Sequence, residues 1–311
     1  MNWEKKLAIG LSLSLEPYEY NELFRKYGKY IKEIYFAPVI NDEVFILHSD
    51  IGEQFKEEEK MSDRTRQILD LAKEYGIETN MVLNVRLDSD ESIVRRALNW
   101  CKQLGVTINK MTVTDNIVVT AFVLSPLGCD LVSSFNNNLE FKDGKIINDI
   151  RIDFYDEVVL GGRNLRNIDL IKFLKESDIR VEILINNGCS TNCLYCSTMK
   201  SEFCEDIVDK NIEKNGLSYC MAVQSIYPSE IGIQYNKLGI DTYKISSRQF
   251  GSYIDFKQTL DLYINDRDPV NTEEFLLTCT LDRMRYHVTK HKFTSDDWKE
   301  IRKIKSELWK R

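Results

Sequence analysis

Cysteine is the residue type that most clearly indicates chemistry in this chain. Cys189, Cys193 and Cys196 lie within eight residues of sequence, and Cys204 and Cys220 follow them. Thiolates are soft ligands that favour zinc, copper(I) or iron–sulfur clusters. The C-x3-C-x2-C spacing suits three corners of one cubane cluster better than two ligand pairs around a zinc ion. We therefore predict a [4Fe–4S] cluster bound by Cys189, Cys193, Cys196 and Cys220, with Cys204 as the alternative fourth ligand.

The same cysteines leave two other metal centres open. If three of them bind, one iron is free to chelate S-adenosylmethionine, and the loop, with Tyr195 before its last cysteine, resembles that of radical S-adenosylmethionine enzymes. In that family the loop normally follows the first strand, whereas here most of the predicted strands precede it. If four cysteines bind, a closed structural zinc site is the alternative. Cys101, Cys129 and Cys279 stand alone in apolar or regular segments, which predicts small buried side chains.

Composition limits the class of protein. The chain has 311 residues, of which 43% are hydrophobic, and a formal net charge of −7. A sizeable core is therefore expected, and the acidic balance argues against DNA or another polyanion as a general partner. The apolar run at residues 7–15 is interrupted by serines and lacks a cleavage site, which predicts a strand rather than a signal peptide. No run approaches the roughly 18 apolar residues of a spanning helix, so we expect a soluble, cytoplasmic protein without a membrane partner.

Strand-like runs and helical patterns must position these cysteines, and they alternate along residues 1–270. Ile68, Leu71, Ala72 and Tyr75 fall on one face of a helix that Gly76 ends. Eight strands are predicted, at residues 7–13, 33–37, 79–85, 111–114, 129–135, 156–160, 181–185 and 242–245. Further helices are predicted at residues 19–30, 91–104, 145–151, 165–175, 229–238 and 253–264. This repetition predicts a (βα)8 TIM-like barrel with the cysteine loop after strand 7. The alternative, an open doubly wound sheet, lacks a glycine-rich turn after its first strand.

Polar residues gather where the predicted strands end, and in such barrels the active site lies at that face. The candidates for catalysis are Asn84, Arg86, Asp115 and Lys244. The candidates for substrate binding are Arg86, Ser133, Asn136, Arg163, Asn164 and Arg248, and Ser134, Asn186, Asn187 and Ser247 share the same position at strand ends. Arginine suits carboxylate or phosphate through its planar fork. We therefore predict a small-molecule substrate that is anionic or nucleotide-like, bound beside the cysteine loop at residues 189–220.

Residues 271–311 are predicted to form a helical C-terminal extension of the barrel. From residue 281 onward there are ten Lys or Arg against five Asp or Glu. Trp298, Ile301, Ile304 and Leu308 repeat at helical spacing. This pattern favours an amphipathic helix that packs on the barrel with its basic face in water. The alternative is a contact surface for an acidic partner protein or RNA.

Four sequence motifs, in order, resemble a known family. They are LVSSFNNN at 131–138, DEVVLGGRNL at 156–165, VEILINNGCSTNC at 181–193 and GIDTYKISSR at 239–248. The chain is similar here to the collagenase-like peptidase family U32 and its relatives. The resemblance implies a (βα)8-type barrel and a four-cysteine [4Fe–4S] cluster. Cys189 and Cys193 match the paired cysteines of that family, and Cys220 falls near a later one. Cys196 has no clear counterpart, and Ser247 replaces the usual glycine.

The resemblance also implies a range of activities. Some relatives have been called proteases, and others act in oxygen-independent hydroxylation of RNA bases or quinone precursors. We therefore predict a metal-binding, iron–sulfur-dependent oxidoreductase that hydroxylates or otherwise modifies a small anionic or nucleotide-like substrate. The alternatives are a radical S-adenosylmethionine enzyme, a U32-type peptidase, and a non-catalytic module that metal stabilises and that binds a partner.

Overall fold

Eight parallel strands close into a barrel. The computed structural model describes residues 2–39, 58–84, 91–114, 128–134, 137, 139–148, 150–186, 204–246, 252–278 and 289–308. The barrel strands are β1 (Leu7–Gly10), β2 (Ile31–Phe36), β3 (Glu78–Leu83), β4 (Lys110–Val113), β5 (Asp130–Ser133), β8 (Glu157–Leu160), β9 (Arg180–Leu184) and β10 (Thr242–Ile245). Their order around the barrel is β1-β10-β9-β8-β5-β4-β3-β2, so each strand pairs with its neighbours in sequence and β10 closes on β1. The predicted (βα)8 barrel is confirmed.

Helices cover the outside of the barrel. They are α1 (Pro17–Tyr27), α2 (Glu58–Glu74), α3 (Glu91–Leu104), α4 (Ile168–Glu176), α5 (Cys204–Asn215), α6 (Leu217–Gln224), α7 (Pro228–Ile233), α8 (Tyr253–Ile264), α9 (Thr272–Leu277) and α10 (Ser295–Glu307). Short 3₁₀ helices occupy Ile152–Phe154, Gly162–Asn164 and Tyr235–Leu238. In the part of the chain that the structure describes, no helix is both long and apolar enough to cross a bilayer.

One connection differs from the prediction. The helix expected at residues 145–151 is instead a hairpin of β6 (Phe141–Lys142) and β7 (Lys145–Ile146), followed by a 3₁₀ turn. Asp143 and Gly144 both adopt positive φ, at 50° and 76°. Asp-Gly is the pair that favours a two-residue hairpin turn, because such turns need left-handed backbone at both positions. The helix predicted at residues 229–238 also divides, into α7 and a 3₁₀ helix.

The apolar core lies mainly between the barrel and its helices. Leu7, Ile9, Ile34, Met81 and Ile183 alternate with inward-facing residues and pack outward into this layer. A second cluster joins the C-terminal extension to α6, because Trp298 and Ile301 of α10 pack with Met221. The division of the chain into a barrel at 1–270 and an extension at 271–311 stays a prediction, and α10 packs directly on α6.

Candidate functional site

A ring of uncharged polar side chains occupies the carboxyl-end mouth of the barrel. Leu83, Val113, Ile185 and Ile245 belong to the outer core, so the residue that follows each of them faces inward. The ring formed in this way is Asn84, Thr114, Asn186 and Ser246, and Ser12 and Ser134 have the same parity on β1 and β5. All but Ser246 are buried. We call these six residues the mouth ring. Hydroxyls and amides in this position can both donate to and accept from a polar ligand.

Hydrogen bonds connect three barrel strands at the mouth ring. The Asn186 Oδ1 accepts from the backbone N–H of Ser246 at 2.6 Å, which ties the end of β9 to the end of β10. The Tyr35 hydroxyl donates to the carbonyl of Ile245 at 2.7 Å across the barrel interior. The Asn84 Oδ1 is buried and has no hydrogen-bond partner among the described residues. A buried amide oxygen without a partner is rare in folded proteins and is available to a ligand donor.

Charged side chains fill the barrel beneath the ring. The Lys244 Nζ lies 2.9 Å from the Glu182 Oε1 and 4.1 Å from the centre of the Tyr35 ring. Nearer the amino ends of the strands, the Lys110 Nζ lies 2.6 Å from the Glu33 Oε2 and 2.7 Å from the Glu157 Oε2. We call these five ionisable residues, Glu33, Lys110, Glu157, Glu182 and Lys244, the interior network.

Uncharged donors extend the interior network around the barrel. The Asn80 amide donates to the Glu33 Oε1 at 2.8 Å, and the Thr112 hydroxyl donates to the Asn80 Oδ1 at 2.9 Å. Glu33, Lys110 and Glu157 come from alternate barrel strands, as the layered interior of such barrels requires. The network thus occupies the positions that branched aliphatic side chains usually fill.

The interior network holds three carboxyl groups and two ammonium groups, so full ionisation would leave a negative charge in excess. Burial raises the pKa of Glu182 to about 7; Lys244 opposes this rise, and Glu33 and Glu157 add to it. For Glu33, burial acts to raise the pKa, but Lys110 and Lys244 outweigh it and the pKa falls below its ordinary value. Burial acts to lower the pKa of Lys110, but Glu33 and Glu157 raise it above the ordinary value. Protonation of Glu182 balances the charges.

The structure places the predicted site residues unevenly. Asn84 lies in the mouth ring, and Lys244 lies below it in the interior network, inside β10 rather than after it. Ser133 has the outward parity of Leu131, and its Oγ accepts from the Asn137 amide at 2.9 Å on the helical side. The Asn164 amide donates to the Leu139 carbonyl at 2.9 Å, a contact between loops. These contacts do not favour Ser133 or Asn164 as substrate ligands, and their roles stay predictions.

Other predicted site residues lie outside the described part of the chain. These are Arg86, Asp115, Asn136, Arg248, Asn187 and Ser247, and the side chains of Arg163 and Cys204 are also not described. The roles predicted for them stay predictions.

The three central cysteines, Cys189, Cys193 and Cys196, likewise lie outside the described residues. Cys220 lies in α6 within the apolar cluster around Met221, and burial raises the pKa of its thiol. Cysteines buried in apolar surroundings are usually unreactive. Among the described residues, no three His, Cys, Asp or Glu side chains converge on a metal position. This environment disfavours Cys220 as the fourth ligand, and that assignment stays a prediction.

Comparison with known proteins finds similarity to solved structures at low sequence identity. No protein-family model and no curated protein matches it. Orotidine 5′-monophosphate decarboxylase from Sulfolobus solfataricus is 9% identical, with a TM-score of 0.44 over 84% of this chain and 99% of the other. N-acetylneuraminate lyase from Fusobacterium nucleatum is 12% identical, with a TM-score of 0.41 over 89% and 80%. An oxaloacetate acetylhydrolase is 11% identical, with a TM-score of 0.42 over 93% and 94%. These similarities carry no activity over to this chain.

Proposed function

We propose that this chain is a barrel enzyme of the iron–sulfur redox class. In this proposal Cys189, Cys193 and Cys196 bind a [4Fe–4S] cluster beside the mouth ring, and the enzyme hydroxylates or otherwise modifies a small anionic or nucleotide-like substrate without O₂. The similarity of the cysteine motif to that of family U32 supports the same assignment.

The observation that carries the proposal is the place where β9, the strand before the cysteines, ends. Strand β9 ends at Leu184, Asn186 lines the mouth ring, and Cys189 follows three residues later. The segment that carries the proposed ligands thus follows, in sequence, the face where barrel enzymes keep their active sites. Three closely spaced thiols have the donor chemistry of an iron–sulfur cluster.

The residues of the chain would bind and orient the substrate. The Asn84 Oδ1 offers a hydrogen-bond acceptor at the mouth, and the predicted arginines Arg86 and Arg248 would supply positive charge for an anion. When bound, the cluster would pass single electrons between substrate and acceptor. Hydroxylation with water as the oxygen source releases two electrons and two protons, so an electron acceptor is required as co-substrate.

Metal analysis of cysteine variants tests the proposal. We expect about four irons and about four sulfides per chain after anaerobic purification. Cys193→Ser should lose most of both. Cys129→Ser, which changes a half-buried cysteine immediately before β5, should retain them. Equal iron content in the two variants would contradict the assignment.

A radical S-adenosylmethionine enzyme is the second candidate. The apolar surroundings of Cys220 favour it, because a site with three cysteine ligands leaves one iron open. Formation of 5′-deoxyadenosine from S-adenosylmethionine on reduction would support this candidate, and its absence in a fully loaded sample would exclude it.

A further inference from the structure

We infer that α10 is a positioning element for the mouth of the barrel, and that it acts through Lys305. The inference rests on the proposed function only in taking the mouth ring as the site. The sequence alone favours a C-terminal helix that only packs on the barrel. The inference adds that this helix helps to hold the mouth ring in place.

Residues 225–230, which follow α6, contact the end of β9, and we call them the returning segment. The backbone N–H of Ile226 donates to the carbonyl of Ile185 at 2.8 Å, and both residues are fully buried. Ile185 precedes Asn186, whose side chain accepts from the backbone of Ser246. The returning segment therefore holds the end of β9 on one side, while β10 holds it on the other.

Two cations hold the returning segment in place. The Lys305 Nζ donates to the carbonyl of Ser225 at 2.6 Å and to the Glu230 Oε2 at 2.7 Å. Arg166, which follows β8, donates to the same carbonyl at 2.8 Å and to the Glu230 Oε1 at 2.7 Å. Glu230 and Lys305 are each 6% exposed. The carbonyl of Ser225 is thus held from the barrel by one cation and from α10 by the other.

Docking alone does not account for a buried lysine. Trp298 and Ile301 already pack α10 against α6 through apolar contacts. Burying a charge has a desolvation cost that an apolar residue at the same position would avoid. Both acceptors of the Lys305 ammonium, the Ser225 carbonyl and the Glu230 carboxylate, belong to the returning segment. Other lysines of α10, such as Lys303, are exposed. Lys305 is therefore placed where its charge fixes geometry, and we assign it as a positioning residue.

Amide hydrogen exchange and iron analysis of full-length variants test the inference. Lys305→Met keeps the apolar stem and removes the ammonium, Lys305→Arg keeps the charge, and Lys303→Met is the matched control on the same helix. We expect Lys305→Met to speed exchange of the Ile226 amide by about tenfold or more, because a charge-assisted hydrogen bond is lost. Exchange in β2, β3 and β4 should stay unchanged. Lys305→Arg should restore part of the protection, and Lys303→Met should match the wild type.

The same samples separate this inference from the proposed function. In a wild type that contains iron, Lys305→Met should also change the electron paramagnetic resonance spectrum, whereas Lys303→Met should not. A wild type without iron would refute the cluster and leave the exchange result to decide the inference. Unchanged exchange at Ile226, or equally faster exchange in every strand, would overturn it. Lys305→Gln, which also removes the charge but keeps a hydrogen-bond donor, replaces Lys305→Met if that variant does not fold, and the same outcomes apply.

Discussion

Replacing Glu182 by glutamine should make the protein more stable at high pH than the wild type. Glu182 lies inside the barrel beside Lys244, and its pKa is about 7 in the folded protein against an ordinary value of 4.5. Glutamine has the same shape and mimics the protonated carboxyl. The variant keeps the other two carboxyl groups and both ammonium groups of the interior network, and it removes the one group whose pKa is raised to about 7.

The size of the effect follows from linkage. A difference between 4.5 and about 7 in pKa corresponds to about 3 kcal/mol of unfolding free energy. Because the folded-state pKa of an acid is raised, the native protein binds more protons than the unfolded chain between these two values. The contribution of Glu182 to the unfolding free energy is therefore most favourable below pH 4.5. It falls as the pH rises and stays low above pH 7.

Guanidinium unfolding at a series of pH values from 4.5 to 8 measures the effect. The free energy of the wild type minus that of Glu182→Gln should fall by about 3 kcal/mol across this range. Glu176→Gln, an exposed position at the end of α4, is the control and should give a small difference at each pH. Parallel profiles for wild type and Glu182→Gln would refute the reasoning, as would a variant that is less stable than the wild type at pH 8.

Three further predictions concern other charged and buried groups. Lys110→Met should lower the unfolding free energy by about 3–5 kcal/mol at pH 7, because Glu33 and Glu157 lose the cation between them; denaturant titration measures this, and a loss below about 1 kcal/mol would contradict it. Glu230→Gln should lower the unfolding free energy by about 3 kcal/mol at pH 7, and this loss should shrink as the pH falls from 4.5 towards 2. The reason is that Lys305 and Arg166 lower the pKa of Glu230 to about 2 against the opposing effect of burial. A loss that stays constant between pH 7 and pH 3 would contradict this prediction. Cys220→Ala should leave the iron content unchanged, since the thiol lies in an apolar cluster, whereas loss of iron would restore Cys220 as the fourth ligand.

The barrel could be predicted from sequence because its strands are short apolar runs separated by helical patterns. Runs such as residues 181–185 and 242–245 match β9 and β10 closely. The hairpin at Asp143 and Gly144 was not predicted, because the apolar spacing near residue 146 also suits a helix. The Asp-Gly pair was the signal that could have decided between them.

The candidate site was predictable only in part, because it depends on which face of each strand a residue occupies. Ser133 and Ser134 are adjacent in sequence, yet a shift by one residue separates the helical side from the barrel interior. Of the interior network, only Lys244 was singled out from the sequence. The signal of the network was present in Glu157, Glu182 and Lys110, which interrupt or begin apolar strands. Pairing such charges requires the order of strands around the barrel, which short-range patterns do not contain.

The most direct test of the account is the iron and acid-labile sulfide content of the wild-type chain after anaerobic purification. We predict about four of each per chain, with an electron paramagnetic resonance signal on reduction that Cys193→Ser abolishes. A correctly folded, anaerobically purified protein that contains neither iron nor sulfide would contradict the central claim.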